Sequence, residues 1–214
     1  MNIDNYFDLP QISNSDLSEL RREIYPPPVI YDPTVSFAFG NLLDAITTEP
    51  ERIDFINRRL DGVSFNKRDF NKAEKMKNAF LRDSFCFNLI KKATFQDIII
   101  NEKFEFQYKG MKLTIPARCK WDILRRDIKL GADLKSTDAK TQIEFESAVE
   151  HFQYDRQAAW YMDLTGIDDF IIIGVSKKNF KVFKVFINRK NDLYLFGRAK
   201  YSHLAFKYKM LYGI

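Results

Sequence analysis

The chain has 214 residues, 45% of them hydrophobic, and a formal net charge of +5. That length supports a single domain with a substantial core over residues 12–214, behind a flexible stretch at 1–11, and leaves too little for a second domain. No apolar run reaches the roughly 18 residues of a membrane span and no basic-then-apolar leader opens the chain, so the expectation is a cytoplasmic protein with no membrane partner.

In chain order, Ser13 followed by Asp16 is a capping-box-like start, and a short helix should run through Leu17 and Leu20 to about Glu23. The prolines at 26–28 forbid its continuation. After Tyr31-Asp32-Pro33, apolar residues at 35, 39, 42, 43 and 46 have a helical period. Gly40 falls inside that helix, where a close backbone or DNA approach, or tight helix packing, would rationalise it. Residues 49–65 read as a mixed loop with weak helical pieces, with Arg58, Arg59 and Lys67 nearby. Residues 67–92 read as one broken helix or two consecutive ones, with Ala73, Met76, Ala79, Phe80, Phe87 and Ile90 as a core stripe.

Strands are predicted at 96–100, 103–108, 111–115, 117–124 and 128–135, an antiparallel meander within a mixed sheet. A helix over 141–165, interrupted near Tyr154, should pack on it. Residues 169–175, DFIIIGV, form an apolar run suited to a strand buried on both faces beside the 128–135 strand. A hairpin strand at 180–187 and a helix through Leu204, Tyr208 and Leu211 complete the chain. From Lys177 onward there are ten Lys or Arg against the single Asp192, a segment charge of +9 within a total of +5, so the rest carries −4. These cations alternate with aromatics, a pattern that suits a phosphate backbone and equally a solvated amphipathic face.

The chemistry concentrates between residues 115 and 161. Asp122 is followed, after ten intervening residues, by Asp133-Leu134-Lys135. Side chains at i and i+2 leave one face of a strand, so Asp133 and Lys135 point together while Leu134 enters the core. A turn at Arg125-Arg126-Asp127 would bring Asp122 alongside Asp133. Two carboxylates, with the Leu134 carbonyl as a third oxygen, suit Mg2+, or Mn2+ in its place. Lys135 would orient the nucleophile and neutralise developing charge. Gln157 and Tyr161, four apart, share a helical face; Gln157 could hold a phosphate oxygen or position Lys135, and Tyr161 is equally a core tyrosine.

GADLKST followed by YDRQAAWY resembles the PD-(D/E)XK nuclease superfamily, specifically the phage-type exonuclease branch similar to lambda exonuclease and RecE. ISNSDL at 12–17 resembles the branch's I-S-x-S-x-L opening, and FGNLLD at 39–44 its G-x-x-x-(H/E) helix, with Asp44 where relatives carry His or Glu. The resemblance implies an α/β, restriction-endonuclease-like fold, a mixed central sheet flanked by helices. It also implies Mg2+-dependent 5′-to-3′ digestion of DNA. Asp122 and Asp133 would be metal ligands, with Asp44 as a further one, Lys135 catalytic, and Gln157 and Tyr161 supporting. Ser13, Ser15 and Arg21 would lie near the substrate's terminal phosphate, although capping alone accounts for Ser13. Such enzymes form ring-shaped oligomers and work with a single-strand annealing protein. Relatives with an iron–sulfur cluster need four cysteines, and Cys86 and Cys119 suit reduced core thiols instead. With only His151 and His203, zinc is not indicated. An endonuclease of the same fold acting in defence or resolution, and a non-catalytic DNA-binding module, are the alternatives.

Overall fold

The computed structural model describes residues 6–26 and 34–214. Helix α1 (Asn14–Ile24) opens with a complete capping box: Ser13 Oγ accepts from Asp16 N, and the Asp16 carboxylate accepts from Ser13 N. Helix α2 (Thr34–Thr48) leads to a three-stranded sheet of two-residue strands, β1 (Ile53–Asp54), β2 (Arg59–Leu60) and β3 (Val63–Ser64). Helices α3 (Lys67–Arg82) and α4 (Ser84–Ile90) follow, separated by Asp83, whose carboxylate caps α4 by accepting from Cys86 N.

The main sheet has the order β4 (Thr94–Tyr108), β5 (Met111–Arg125), β6 (Leu130–Thr137), β7 (Asp169–Ser176), β8 (Val182–Asn188). All neighbours are antiparallel except β6 and β7. That parallel pair requires a crossover, which α5 (Gln142–His151) and α6 (Tyr154–Thr165) supply. The long α7 (Asp192–Tyr212) packs on α6 and α1. This is the mixed, helix-flanked α/β architecture expected.

Strand β7 shows why its sequence is apolar throughout. Phe170 and Ile172 enter the core beneath α6 and α7, while Ile171, Ile173 and Val175 enter the core under α3 and α4. Burial on both faces removes the usual in–out alternation. Two glycines admit large rings against the sheet. A Cβ on Gly131 would fall inside the Trp121 ring, and one on Gly174 inside the Phe145 ring.

Several expectations change. The strands predicted at 96–100 and 103–108 are one strand with an irregularity between Asn101 and Phe104, and those at 111–115 and 117–124 are likewise one. Pro116 does not divide β5, because the first partner of this edge is the N-terminal segment: Ile12 N donates to Pro116 O, and Arg118 N to Ile12 O. The 49–65 loop contains the small sheet. Phe87 is 47% exposed and leaves the core stripe, and Val35, 78% exposed, leaves the face of α2. Nothing crowds Gly40, so tight packing does not explain it. The break near Tyr154 is real and falls at Gln153, whose φ of 56° is left-handed. Of the stretch expected to be flexible, 1–5 lies outside the described residues. Within 6–11, Tyr6 and Gln11 are buried, and Arg118 Nη1 donates to the Leu9 and Gln11 carbonyls. The proline stop and turn at 27–33 also lie outside the described residues.

Candidate active site

Strands β5 and β6 pair over three positions only, Ile123 with Ala132, Leu124 with Gly131 and Arg125 with Leu130. The Arg126–Ile128 turn of 3-10 helix joins them. Beyond Ala132 the strands part into a fork. Asp122 stands at its branch point, and its Oδ2 accepts from Leu134 N at 2.9 Å, taking the place of the missing backbone acceptor. In an extended strand a residue's N–H and C=O point to the same side, so the Leu134 carbonyl also faces the β5 side of the fork. The Leu134 side chain is buried among residues of α2, α3 and α4.

Asp133 is 3% exposed and held from two directions. Gln157 Nε2 of α6 donates to Oδ1 at 2.5 Å, and Lys135 Nζ lies 2.6 Å from Oδ2, an ion pair without aligned hydrogen-bond geometry. Gln157 therefore grips the aspartate, not the lysine. Lys135 Nζ also sits 5.0 Å from the centre of the Tyr154 ring. Burial opposes the lysine's charge, yet Asp133, Tyr154 and Asp122 outweigh it and raise its pKa, so the ammonium is firmly protonated. Tyr161 lies further in, its ring edge-on to Trp121 at 5.2 Å and to Phe170 at 6.2 Å, and burial raises its phenol pKa. It is part of the packing that backs the fork.

From the opposite side α2 contributes Asp44. Burial, and then the charge of Asp133, push its pKa up to about 6. Asp122 is raised well above the carboxylate range by burial, then by Asp44 and Asp133. Three carboxylates from three elements thus share one electrostatic neighbourhood with a single lysine ion pair, and their mutual repulsion favours a cation. Among the described residues, no three Asp, Glu, His or Cys side chains are gathered closely enough to enclose a metal by themselves. A hard cation such as Mg2+ needs less, because one or two carboxylates, waters and substrate oxygens hold it. The residues present fit that donor set.

The N-terminal candidates divide. Ser13 is buried and its hydroxyl is committed to Asp16, whereas Ser15 and Arg21 are exposed on α1. Ser18 Oγ of α1 accepts from Arg156 Nη2 at 2.5 Å, and Arg21 lies near enough to lower the Arg156 pKa, after burial, to about 10. Arg156 precedes Gln157, so α1 packs on the helix that carries Gln157. The sequence reading missed Tyr154 and Gln96 of β4, whose amide reaches Asp44. The interruption of the helix was a signal for Tyr154; for Gln96 the strand pattern offered none.

A candidate exonuclease from Eubacterium rectale, known from a crystal structure, superposes with a TM-score of 0.59 at 16% identity, over 96% of this chain and 85% of that one. Two others have lower TM-scores. A phage-related exonuclease from Haemophilus somnus gives 0.42 at 17% identity, over 92% of this chain and 94% of its own. An alkaline exonuclease from Laribacter hongkongensis gives 0.40 at 11% identity, over 92% and 87%. No curated protein matches the sequence. The sequence matches the profile of a PDDEXK-like domain of unknown function (DUF3799) over residues 17–211, nearly all of the described domain. The chain belongs to that PDDEXK-like family.

Proposed function

We propose that this protein is a metal-dependent nuclease that degrades DNA from an end. The observation that carries the proposal is the fork between β5 and β6, where Asp122, Asp133 and Lys135 converge with Gln157 holding Asp133. A divalent cation, when bound, would acidify water and offset charge on the scissile phosphate. Asp122 and Asp133 would hold it, with the Leu134 carbonyl and Asp44 as further oxygens. Lys135, kept protonated, would orient the attacking water and neutralise charge developing on the phosphate oxygens. Gln157 would fix the Asp133 carboxylate, and Tyr154 and Tyr161 would close the site to bulk water. The candidate exonuclease from Eubacterium rectale, which has a similar fold, supports end-dependence over internal cleavage. A ring-shaped oligomer, an annealing-protein partner and a recombination role belong to the same proposal.

The test uses a linear duplex carrying a labelled 5′-phosphate beside a closed circular duplex, with Mg2+ or EDTA. Loss of the linear DNA alone, in Mg2+ only, is the expected result. Cleavage of the circle would convert the reading to an endonuclease. Turnover in EDTA would remove the metal from it.

A further inference from the structure

Gln96 lies within β4, yet its backbone departs from extended geometry. Its φ is +52°, in the left-handed region that non-glycine residues avoid, and its side chain is buried, 6% exposed. The flanking pairs, Phe95 with Ile123 and Asp97 with Trp121, put it opposite Asp122, the residue at the branch of the fork. From there Gln96 Nε2 donates to Asp44 Oδ2 at 2.8 Å and to Thr48 Oγ1 at 3.2 Å. The Thr48 hydroxyl lies 2.9 Å from the Asp44 carbonyl oxygen and 3.4 Å from Asp44 Oδ1. The remaining atom, Gln96 Oε1, is buried with no donor in the protein.

A strained backbone and a buried amide oxygen without a protein donor both disfavour the fold; Gln96 and Gln153 each carry both, and of the two it is Gln96 whose amide reaches a carboxylate of the fork. A glutamine retained only to join β4 to α2 would need neither. We propose that Gln96 is a positioning residue of the active centre: it sets the Asp44 carboxylate toward Asp122 and Asp133 and leaves its own carbonyl oxygen to accept from water in the fork. The proposal rests on the nuclease reading above and assigns Asp44 to the same centre. Without Gln96 the Asp44 carboxylate would keep only the long 3.4 Å contact from the Thr48 hydroxyl; the amide fixes its other oxygen. Strain held at a site in this way is a recurrent means of preorganisation.

Two variants test it. Gln96→Gly removes the amide and relaxes the backbone, since glycine adopts positive φ without penalty. Gln96→Asn tolerates the same φ but is one methylene too short to reach Asp44. The readouts are the thermal midpoint in EDTA, the rise of that midpoint on adding Mn2+, and kcat and KM on a linear duplex. The expected result is a metal-free midpoint at or above wild type in at least one variant. In both variants the Mn2+-dependent rise should shrink and kcat should fall about tenfold or more, with KM for DNA little changed. A wild-type Mn2+ response with a wild-type kcat in either folded variant would overturn the proposal, as would a fall in the metal-free midpoint with both retained, the mark of a simple tie between β4 and α2. If wild type gains stability from Mn2+ but hydrolyses nothing, the nuclease reading fails alone and the midpoints still decide the role of Gln96. If wild type shows neither response, both readings fall.

Discussion

Asp44 makes the electrostatics of the site measurable without any substrate. Its pKa, held up to about 6 by burial and by Asp133, exceeds the value near 3.8 of an unhindered aspartate, so the folded protein binds this proton more tightly than the unfolded chain does. The resulting stability is fully present below about pH 4 and is lost as pH rises through about 6. Asp122, raised for the same reasons, acts in the same direction. In EDTA, Asp44→Asn should therefore leave the thermal midpoint little changed near pH 4 and raise it by on the order of 5 °C above pH 7. Equal midpoints at high pH would contradict the crowding of carboxylates. Gln157→Ala is a second residue-scale test. Freed from its amide, Asp133 keeps only Lys135, and activity should drop roughly tenfold while the Lys135 ion pair persists. Wild-type turnover in that variant would show that Asp133 needs no second partner.

At the scale of elements, the fork depends on how β5 and β6 are allowed to meet. Trp121 lies across the place where a Gly131 side chain would be, so β6 approaches β5 closely just before the strands part. Gly131→Ala should destabilise the protein by about 1–3 kcal/mol in urea denaturation, because the ring must move within a full core. A neutral result would mean that the ring relocates freely. The sequence made this region legible because strand parity and a D-x10-D-x-K spacing speak directly about which side chains converge. The helical break near Tyr154 was legible too, although the left-handed Gln153 that makes it was not. The small sheet at 53–64 was illegible, since two-residue strands have no periodicity. The exposure of Phe87 and Val35 was equally hidden, because a helical stripe shows which residues align and not where the covering elements end. Gln96 escaped for a different reason: its role comes from a local distortion that opposes its strand context.

Across the whole molecule, the sheet order places β5 and β6 centrally, with α2 reaching the fork from one side and α6 from the other. No single segment contains the site, which joins residues from 44 to 157. The resemblance in sequence supplied the grouping of Asp122, Asp133, Lys135 and Gln157, and the fold supplied the contacts among them. Among the described residues no helix is long and apolar enough to cross a membrane. The basic segment from Lys177 onward proves to be partly occupied within the protein: Lys184 pairs with Asp83, Arg189 with Asp163 and Lys200 with Asp155. Its charge is therefore less available to DNA than the sequence count suggests, and the case for catalysis rests on the fork. The most direct measurement is the rate of nucleotide release from a linear duplex in Mg2+ by wild type, Asp122→Asn and Lys135→Ala, each first shown to be folded by circular dichroism. A loss of at least about a hundredfold in both variants is the result expected of a centre built on these residues. Release at the wild-type rate by folded Lys135→Ala would contradict it.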